Sequence, residues 1–515
     1  MEKSLLPFTF FILVFPLFIG CSGPDSEKKK DTPPNIIFIM ADDLGYGELG
    51  CFGQEKIKTP NIDGLAAEGM KFTQFYSGAP VCAPARCILL TGKHSGNAFI
   101  RGNNEWVERG DVWNFEEASK DLGLEGQYPI PSGTITLGKL LQGAGYKTAC
   151  IGKWGLGAPN SEGVPNKQGF DFFFGYNCQR QAHTYYPTHL WKNEEKVLLD
   201  NELVVPGTKL DKGADPYDPI SYAKFFQNEY SADMMLDEAL NFMVVNKDQP
   251  FFLYFASPIP HDPVQVPKVY VDKYRKLIGN EEPYLGDKGY FPNQYPRAAY
   301  AGMISYLDDQ VGQLVQKLKE LGLYDNTLII FTSDNGPTYA GGVDAAFFDS
   351  AKPFKSEHGW GKGFTHEGGI RVPMIASWPN HIQPGSVNDH ISAFWDVLPT
   401  FCELTDVPPP ENIDGISFLS ALSGKKQKEH EYLYWEFPSY TGQQAVRKGQ
   451  WKAIRQNIFK GNMDIELYNL SNDVREENNL ASEHPEIVKQ MEEIMLTEHN
   501  PSEMFPLFPS ERNKK

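Results

Sequence analysis

The chain has 515 residues, 22% of them charged, with a formal net charge of −18. That balance leaves no basic face to displace counterions from a phosphate backbone, which excludes nucleic acid as the partner and means that an anionic ligand must be held by local cations. The length allows one large α/β core plus a smaller one.

At the N-terminus Lys3 precedes an apolar run over residues 5–19 and then Gly20-Cys21. This is the pattern of a signal peptide (residues 1–20), too short to span a bilayer. Gly20 before Cys21, followed by the polar stretch 22–32, resembles a bacterial lipoprotein signal. It predicts lipidation of Cys21, a polar tether over 21–33, and an exported periplasmic or cell-surface lipoprotein that meets the membrane only through its anchor. An ordinary cleaved signal with an incidental cysteine is the alternative. No other segment is long and apolar enough to cross a bilayer.

Residues 35–40 form an apolar run bounded by Pro33-Pro34 and by Asp42-Asp43, which reads as a strand buried on both faces. Similar runs follow at 148–152, 251–256, 328–333 and 374–377, with helical periodicity at 137–144, 232–245 and 300–321. The alternation implies a large doubly wound, mostly parallel sheet with helices on both faces, over residues 34–405. After a helix-like stretch at 394–404, Val407-Pro408-Pro409-Pro410 breaks the pattern. Short strands at 432–437, 445–446, 451–454 and 466–470 and a last helix at 485–497 predict a small α+β subdomain over 406–505, with an antiparallel sheet and a terminal helix. Residues 506–515 read as a tail, its charged end from Glu511 disordered.

In doubly wound sheets ligands sit beyond the carboxyl ends of the strands, and polar groups follow the apolar runs here: Asp42-Asp43, Lys153, His261 and Asp334-Asn335. Asp42, Asp43, Asp334 and Asn335 make an oxygen-only set suited to calcium or magnesium and not to zinc, although each pair alone fits a solvated turn equally well. Cys82-Ala83-Pro84-Ala85-Arg86 opens a helix, with Pro84 suited to its first turn and Cys82 at its electropositive end. A bare thiol there is either a nucleophile or an inert buried residue. The seven cysteines fit no zinc spacing and settle no disulfide pairing.

These residues resemble the sulfatase family of the alkaline-phosphatase superfamily, whose signature of cysteine, proline and arginine followed by Leu-Thr-Gly reads here Cys82-Ala83-Pro84-Ala85-Arg86 and Leu90-Thr91-Gly92. The family's order continues in Ala41-Asp42-Asp43-Leu44-Gly45, Gly152-Lys153-Trp154, Pro260-His261-Asp262-Pro263, Ser333-Asp334-Asn335-Gly336, Gly361-Lys362 and Glu367-Gly368-Gly369-Ile370-Arg371-Val372-Pro373. The resemblance implies that a maturation enzyme converts Cys82 to formylglycine. It also implies that Asp42, Asp43, Asp334 and Asn335, together with modified Cys82, bind one Ca²⁺. Arg86, Lys153 and Lys362 are then expected around nucleophile and sulfate, and His261 at the leaving oxygen. The implied activity is hydrolysis of sulfate esters.

One position departs from the pattern. Where the family places a histidine after Lys-Trp, this chain has Gly155. His183, with His189 second, lies in the polar and aromatic stretch 179–189 and is nominated as the substitute or as a substrate contact. A loop histidine without a role is the competing reading. The resemblance implies an arylsulfatase-like enzyme, and export, the lipid anchor and the aromatic-rich stretch near His183 suggest polysaccharide degradation in which sulfate is removed singly from chain ends of sulfated sugars, with galactose or N-acetylgalactosamine sulfate the expected substrate and aryl sulfates as surrogates. The alternatives are a phosphoester or phosphonate hydrolase of the same superfamily and an inactive glycan-binding lipoprotein.

Overall fold

The computed structural model describes residues 33–512 and, before them, only Met1, Glu2, Pro7 and Thr9, so the expected signal peptide and lipidated Cys21 lie outside the described residues. The chain divides into the unit Met1–Pro33 and the unit Pro34–Lys515, which carries everything below.

Sixteen strands are described: β1 Asn35–Ala41, β2 Met70–Phe72, β3 Phe75–Tyr76, β4 Lys147–Lys153, β5 Phe172–Tyr176, β6 His189–Lys192, β7 Glu195–Leu198, β8 Phe251–Ala256, β9 Thr327–Ser333, β10 Met374–Ser377, β11 Ser386–Asn388, β12 Ser392–Ala393, β13 Leu433–Phe437, β14 Gln443–Lys448, β15 Trp451–Gln456 and β16 Ile465–Asn469. Ten form one sheet in the order β11-β2-β10-β9-β1-β8-β4-β5-β6-β7. Its centre, β9-β1-β8-β4-β5, is parallel throughout. The flanks bring antiparallel pairings at β9-β10, β10-β2, β5-β6 and β6-β7. The mostly parallel α/β sheet expected from the sequence is present, and the edge strands are additional to it.

Every residue of β1 is buried. Because side chains alternate across a sheet, Ile36, Phe38 and Met40 enter one core and Ile37, Ile39 and Ala41 the other. The helices Cys82–Thr91, Leu137–Gly143 and Val397–Leu404 pack on the first face. Pro60–Glu68, Ser231–Val245 and Pro296–Glu320 pack on the second. Truncating a central ring such as Phe38 to alanine costs about 3–5 kcal/mol at such a site.

Strands β13 to β16 form an antiparallel meander. The helix Pro485–Thr497 covers one face through Met491 and Met495. On the other face Trp435, Ala445, Ile454 and Tyr468 join the first core of the large sheet, so the small sheet shares that core. A buried ionic cluster crosses the same junction. Lys452 Nζ lies 2.8 Å from Glu367 Oε1 and 3.0 Å from Glu476 Oε1, and Arg371 reaches Glu367 at 3.0 Å. Burial alone raises a carboxyl, but Lys452, Arg371 and Arg447 hold that of Glu367 at about 2. The chain end departs from expectation. Phe505 and Leu507 are buried and Glu511 pairs with His499 at 2.6 Å, so the chain is packed through Arg512 where disorder was expected from Glu511.

Candidate active site

Strand register assembles the site. Ala41 at the end of β1 pairs with Ser333 at the end of β9, so Asp42 and Asp334 leave the sheet side by side. The Asp334 N–H donates to the Ala41 carbonyl at 3.0 Å, and the Asp43 N–H donates to Asp334 Oδ1 at 3.1 Å. Ser333 Oγ accepts from Leu44 N–H and donates to the Asn335 carbonyl, both at 2.9 Å, which locks the two turns together. Lys153 ends β4 on the same rim, and His261 follows β8.

Cys82 begins its helix, which ends at the left-handed Gly92. Its Sγ stands 3.4 Å from Asp42 Oδ1 and 3.4 Å from Lys153 Nζ. Arg86, one turn on, is buried and places Nη2 3.2 Å from Asp42 and 2.9 Å from Asp334, while Nη1 donates to the Lys153 carbonyl. Lys153 Nζ is 2.6 Å from Asp42 and Lys362 Nζ 2.7 Å from Asp43. His261 Nε2 faces Asp43 Oδ2 at 3.8 Å.

These contacts set the charges. Burial pushes the Asp42 carboxyl up, and Lys153, His261 and Arg86 overcome it and hold the group well below the usual carboxylate range. Burial, aided by neighbouring Asp42, raises Asp334 to about 7. Burial and the Asp42 charge push the Cys82 thiol up to about 12. As a plain thiol beside these carboxylates it is held toward its protonated form. Burial and then Lys153 and Lys362 hold His261 well below 6.5. Its Nδ1 sits against the Asp262 carbonyl, where only an N–H satisfies the pair, and this leaves Nε2 toward the cluster.

The donor set fits a hard cation. Asp42, Asp43 and Asp334 are fully buried carboxylates at one point of the rim, and Asn335 Oδ1 is buried without a hydrogen-bond partner while its Nδ2 donates to Asp43 at 2.8 Å. Ligand atoms of Asp42, Asp43, Cys82 and His261 lie within 4.8 Å of one another. Oxygen-rich sites of this kind suit calcium or magnesium.

The two histidines nominated from sequence part company. The His183 ring stacks on His261 with centroids 5.5 Å apart, beside Tyr290, at the edge of the cluster. His189 is a correction. Its side chain is buried on β6 with Nε2 3.2 Å from Glu125, and its ring packs on Trp191, so it is committed to a structural pair. An open stretch of polar and aromatic residues has no strand period to reveal which histidine turns inward.

The place of the missing histidine is filled by a residue that sequence reasoning did not single out. Gly155 has φ +81°, and a Cβ built there stands 2.4 Å from Gln179 Cγ. The Gln179 N–H donates to Gln127, its Nε2 donates to Asn103 at 3.4 Å, and its Oε1 is buried without a partner. Asn103 in turn accepts from the Ala83 N–H at 2.9 Å, next to Cys82. Asp262, Thr338, Tyr290 and Tyr440 were missed too. Asp262 lay inside a quoted motif, whereas the tyrosines carried no signal.

A family model described as Sulfatase matches residues 34–407, most of the chain. The chain belongs to the sulfatase family. A second model, N-sulphoglucosamine sulphohydrolase, C-terminal, matches residues 356–500. Among similar proteins, arylsulfatase A of Homo sapiens is 30% identical, with 90% of this chain and 87% of that protein covered. N-acetylgalactosamine-6-O-sulfatase of Bacteroides thetaiotaomicron is 28% identical, with 93% and 96% covered. The crystal structure of Ps i-CgsB in complex with k-i-k-neocarrahexaose is 28% identical, with TM-score 0.71 and 91% and 94% coverage. This sulfatase is accordingly an enzyme that hydrolyses sulfate esters. Its cluster of Lys153, Lys362 and Arg86 around the rim carboxylates gives a chain of net charge −18 a local place for an anionic ester.

Proposed function

We propose that this sulfatase hydrolyses sulfate esters of carbohydrate with a formylglycine made from Cys82 and one Ca²⁺ held by Asp42, Asp43, Asp334 and Asn335. The observation that carries the reading is the Cys82 side chain, buried at a helix N-terminus with Sγ 3.4 Å from both Asp42 and Lys153, inside the cluster of carboxylates and cations. When present, the two groups supply an aldehyde hydrate as nucleophile and a Lewis acid that offsets anionic charge.

The chain's own residues do the rest. Arg86 holds two carboxylates and the Lys153 carbonyl at once, which fixes the rim against position 82. Lys153 and Lys362 present ammonium groups to sulfate oxygens, and the gain is largest where charge builds in the transition state. Lys362 is the more open of the two, which places it on the side of substrate entry. His261, oriented through its Nδ1, turns Nε2 toward the ester and leaving oxygens. Gln179 and Asn103 occupy the space of the family's histidine with amides that cannot take up a proton at neutral pH.

For the substrate, the Bacteroides thetaiotaomicron relative named N-acetylgalactosamine-6-O-sulfatase favours a sulfated galactose or N-acetylgalactosamine. We assign the maturation to a formylglycine-generating enzyme and the location to the periplasm or the cell surface, with a lipid on Cys21 as the anchor. Mass spectrometry of the peptide spanning Cys82, alongside rates on a sulfate and a phosphate ester, tests the reading. The aldehyde mass and preference for sulfate are expected. A native thiol in active enzyme overturns the nucleophile, and preference for phosphate favours a phosphoester hydrolase.

A further inference from the structure

Two cavities meet at Tyr440, one beside the start of the Cys82 helix and one at Lys362. One cavity of about 320 Å³ begins at Val81, the residue before Cys82, and runs past Asn104, Glu105, Trp113 and Tyr128. A second, of about 810 Å³, begins at Lys362 itself and runs past Lys288, Tyr339, His358 and Phe364. Tyr440 lines both and is therefore the partition between them. Its ring lies on Gly363, where φ is +85° and a Cβ would stand 2.1 Å from Tyr440 Cε2, so the tyrosine can lie flat only because position 363 has no side chain. Each volume falls in the range of about 300–1,000 Å³ typical of small-ligand sites.

The arms differ in chemistry. In the first, the Trp113 ring is 65% exposed yet held, because Arg180 lies over it at 5.2 Å and donates to its carbonyl at 2.6 Å. A fixed, exposed indole is a platform for the apolar face of a sugar. Beneath it Glu105 accepts from Gln127 at 2.8 Å, and burial pushes its carboxyl up to about 7, which softens its repulsion of an anionic chain. In the second arm Lys288 and His358 are exposed beside Lys362 and offer an ammonium and a ring N–H donor to a further sulfate. Thr338, on the same wall, donates to Asp262 at 3.0 Å and so joins this arm to the residue after His261.

We propose that the substrate is a sulfated oligosaccharide bound across the nucleophile, with saccharide units on both sides of the sulfated residue, and that the enzyme removes sulfate from internal positions of a chain. The inference rests on the sulfatase reading and replaces the expectation of action at chain ends: a chain-end site needs a wall on one side, whereas here one cavity lies at Val81, next to Cys82, and another at Lys362, with Tyr440 between them. Trp113 and Tyr440 are the specificity-determining residues, one stacking on a neighbouring sugar and the other seating the sulfated unit between the arms.

The test uses the mature full chain with two size-fractionated hexasaccharides, one from a sulfated galactan and one from chondroitin sulfate, and with an aryl sulfate. Products are read by position-resolved mass spectrometry. Loss of sulfate from internal units is expected in at least one hexasaccharide. Trp113→Ala is expected to lower kcat/KM on that hexasaccharide about tenfold more than on the aryl ester, the scale of one lost ring contact, and to weaken hexasaccharide binding by calorimetry in a Cys82→Ala background. Desulfation confined to a terminal unit overturns the inference, as does equal loss on both substrates. So does hydrolysis of aryl sulfate with neither hexasaccharide touched, which leaves the sulfatase reading standing. Loss of all sulfate hydrolysis by the mature enzyme sinks that reading instead.

Discussion

Restoring the family's histidine at position 155 is expected to destabilise this protein, and removing Gln179 with it to relieve part of the loss. The backbone at Gly155 sits at φ +81°, and forcing a residue with a Cβ into that region costs roughly 1–2 kcal/mol. The new Cβ would also lie 2.4 Å from Gln179 Cγ, in a fully buried stretch where overpacking costs about 1–3 kcal/mol. Gly155→His should therefore lose about 2–5 kcal/mol. At roughly 2 cal/mol/K per residue, each kcal/mol moves the midpoint of a unit this long by about 1 °C, so calorimetry should show Tm falling by about 2–5 °C. Gly155→His combined with Gln179→Ala keeps the backbone strain but removes the overlap, and should recover about 1–3 °C of that loss. A single variant as stable as the parent, or a double variant no better than the single, refutes the claim that Gln179 occupies the histidine's space.

Three other perturbations follow from different parts of the molecule. Lys452→Met leaves Glu367 and Glu476 buried without their shared cation, and should cost about 3–5 kcal/mol in urea titrations, partly recovered by adding Glu367→Gln. A variant within 1 kcal/mol of the parent would show that the cluster is not needed. Chelation with EDTA should lower Tm because Asp42, Asp43 and Asp334 are left to repel one another, and Ca²⁺ returned at 100 times its Kd should restore about 2.7 kcal/mol. A Tm indifferent to both additions removes the metal site. His499, half-buried but held above its usual pKa between Glu436 and Glu511, is charged at lower pH. Its raised folded-state pKa contributes stability that is complete below about 6.5 and is lost as pH rises through the folded value. Amide protection of residues 505–512, taken relative to the intrinsic exchange rate, should thus fall from pH 6 to 8, and His499→Gln should flatten the dependence.

How far the sequence alone carried depends on the range of the interaction involved. The buried strands were legible because runs such as residues 35–40 are apolar without alternation, which only a sheet covered on both faces explains. The ligand set was legible because Asp42-Asp43 and Asp334-Asn335 each follow such a run directly, so their place on the rim is fixed by local chain direction. The strands β6 and β7 at one end of the sheet, only four residues each, carried no comparable signal.

Contacts between remote segments were decided only by tertiary packing. Gln179 against Gly155, His183 against His261 and Tyr440 over Gly363 join segments from 24 to about 80 residues apart, and no periodicity along the chain encodes which side chain fills which space. His189 shows the same limit from the other direction, since its pairing with Glu125 spans 64 residues and took it out of the site. Composition and local order determined that this chain builds a parallel sheet with an acidic, cation-lined rim. The three-dimensional packing decided the shape of the space above that rim, because shape depends on distances between side chains that the sequence does not place side by side.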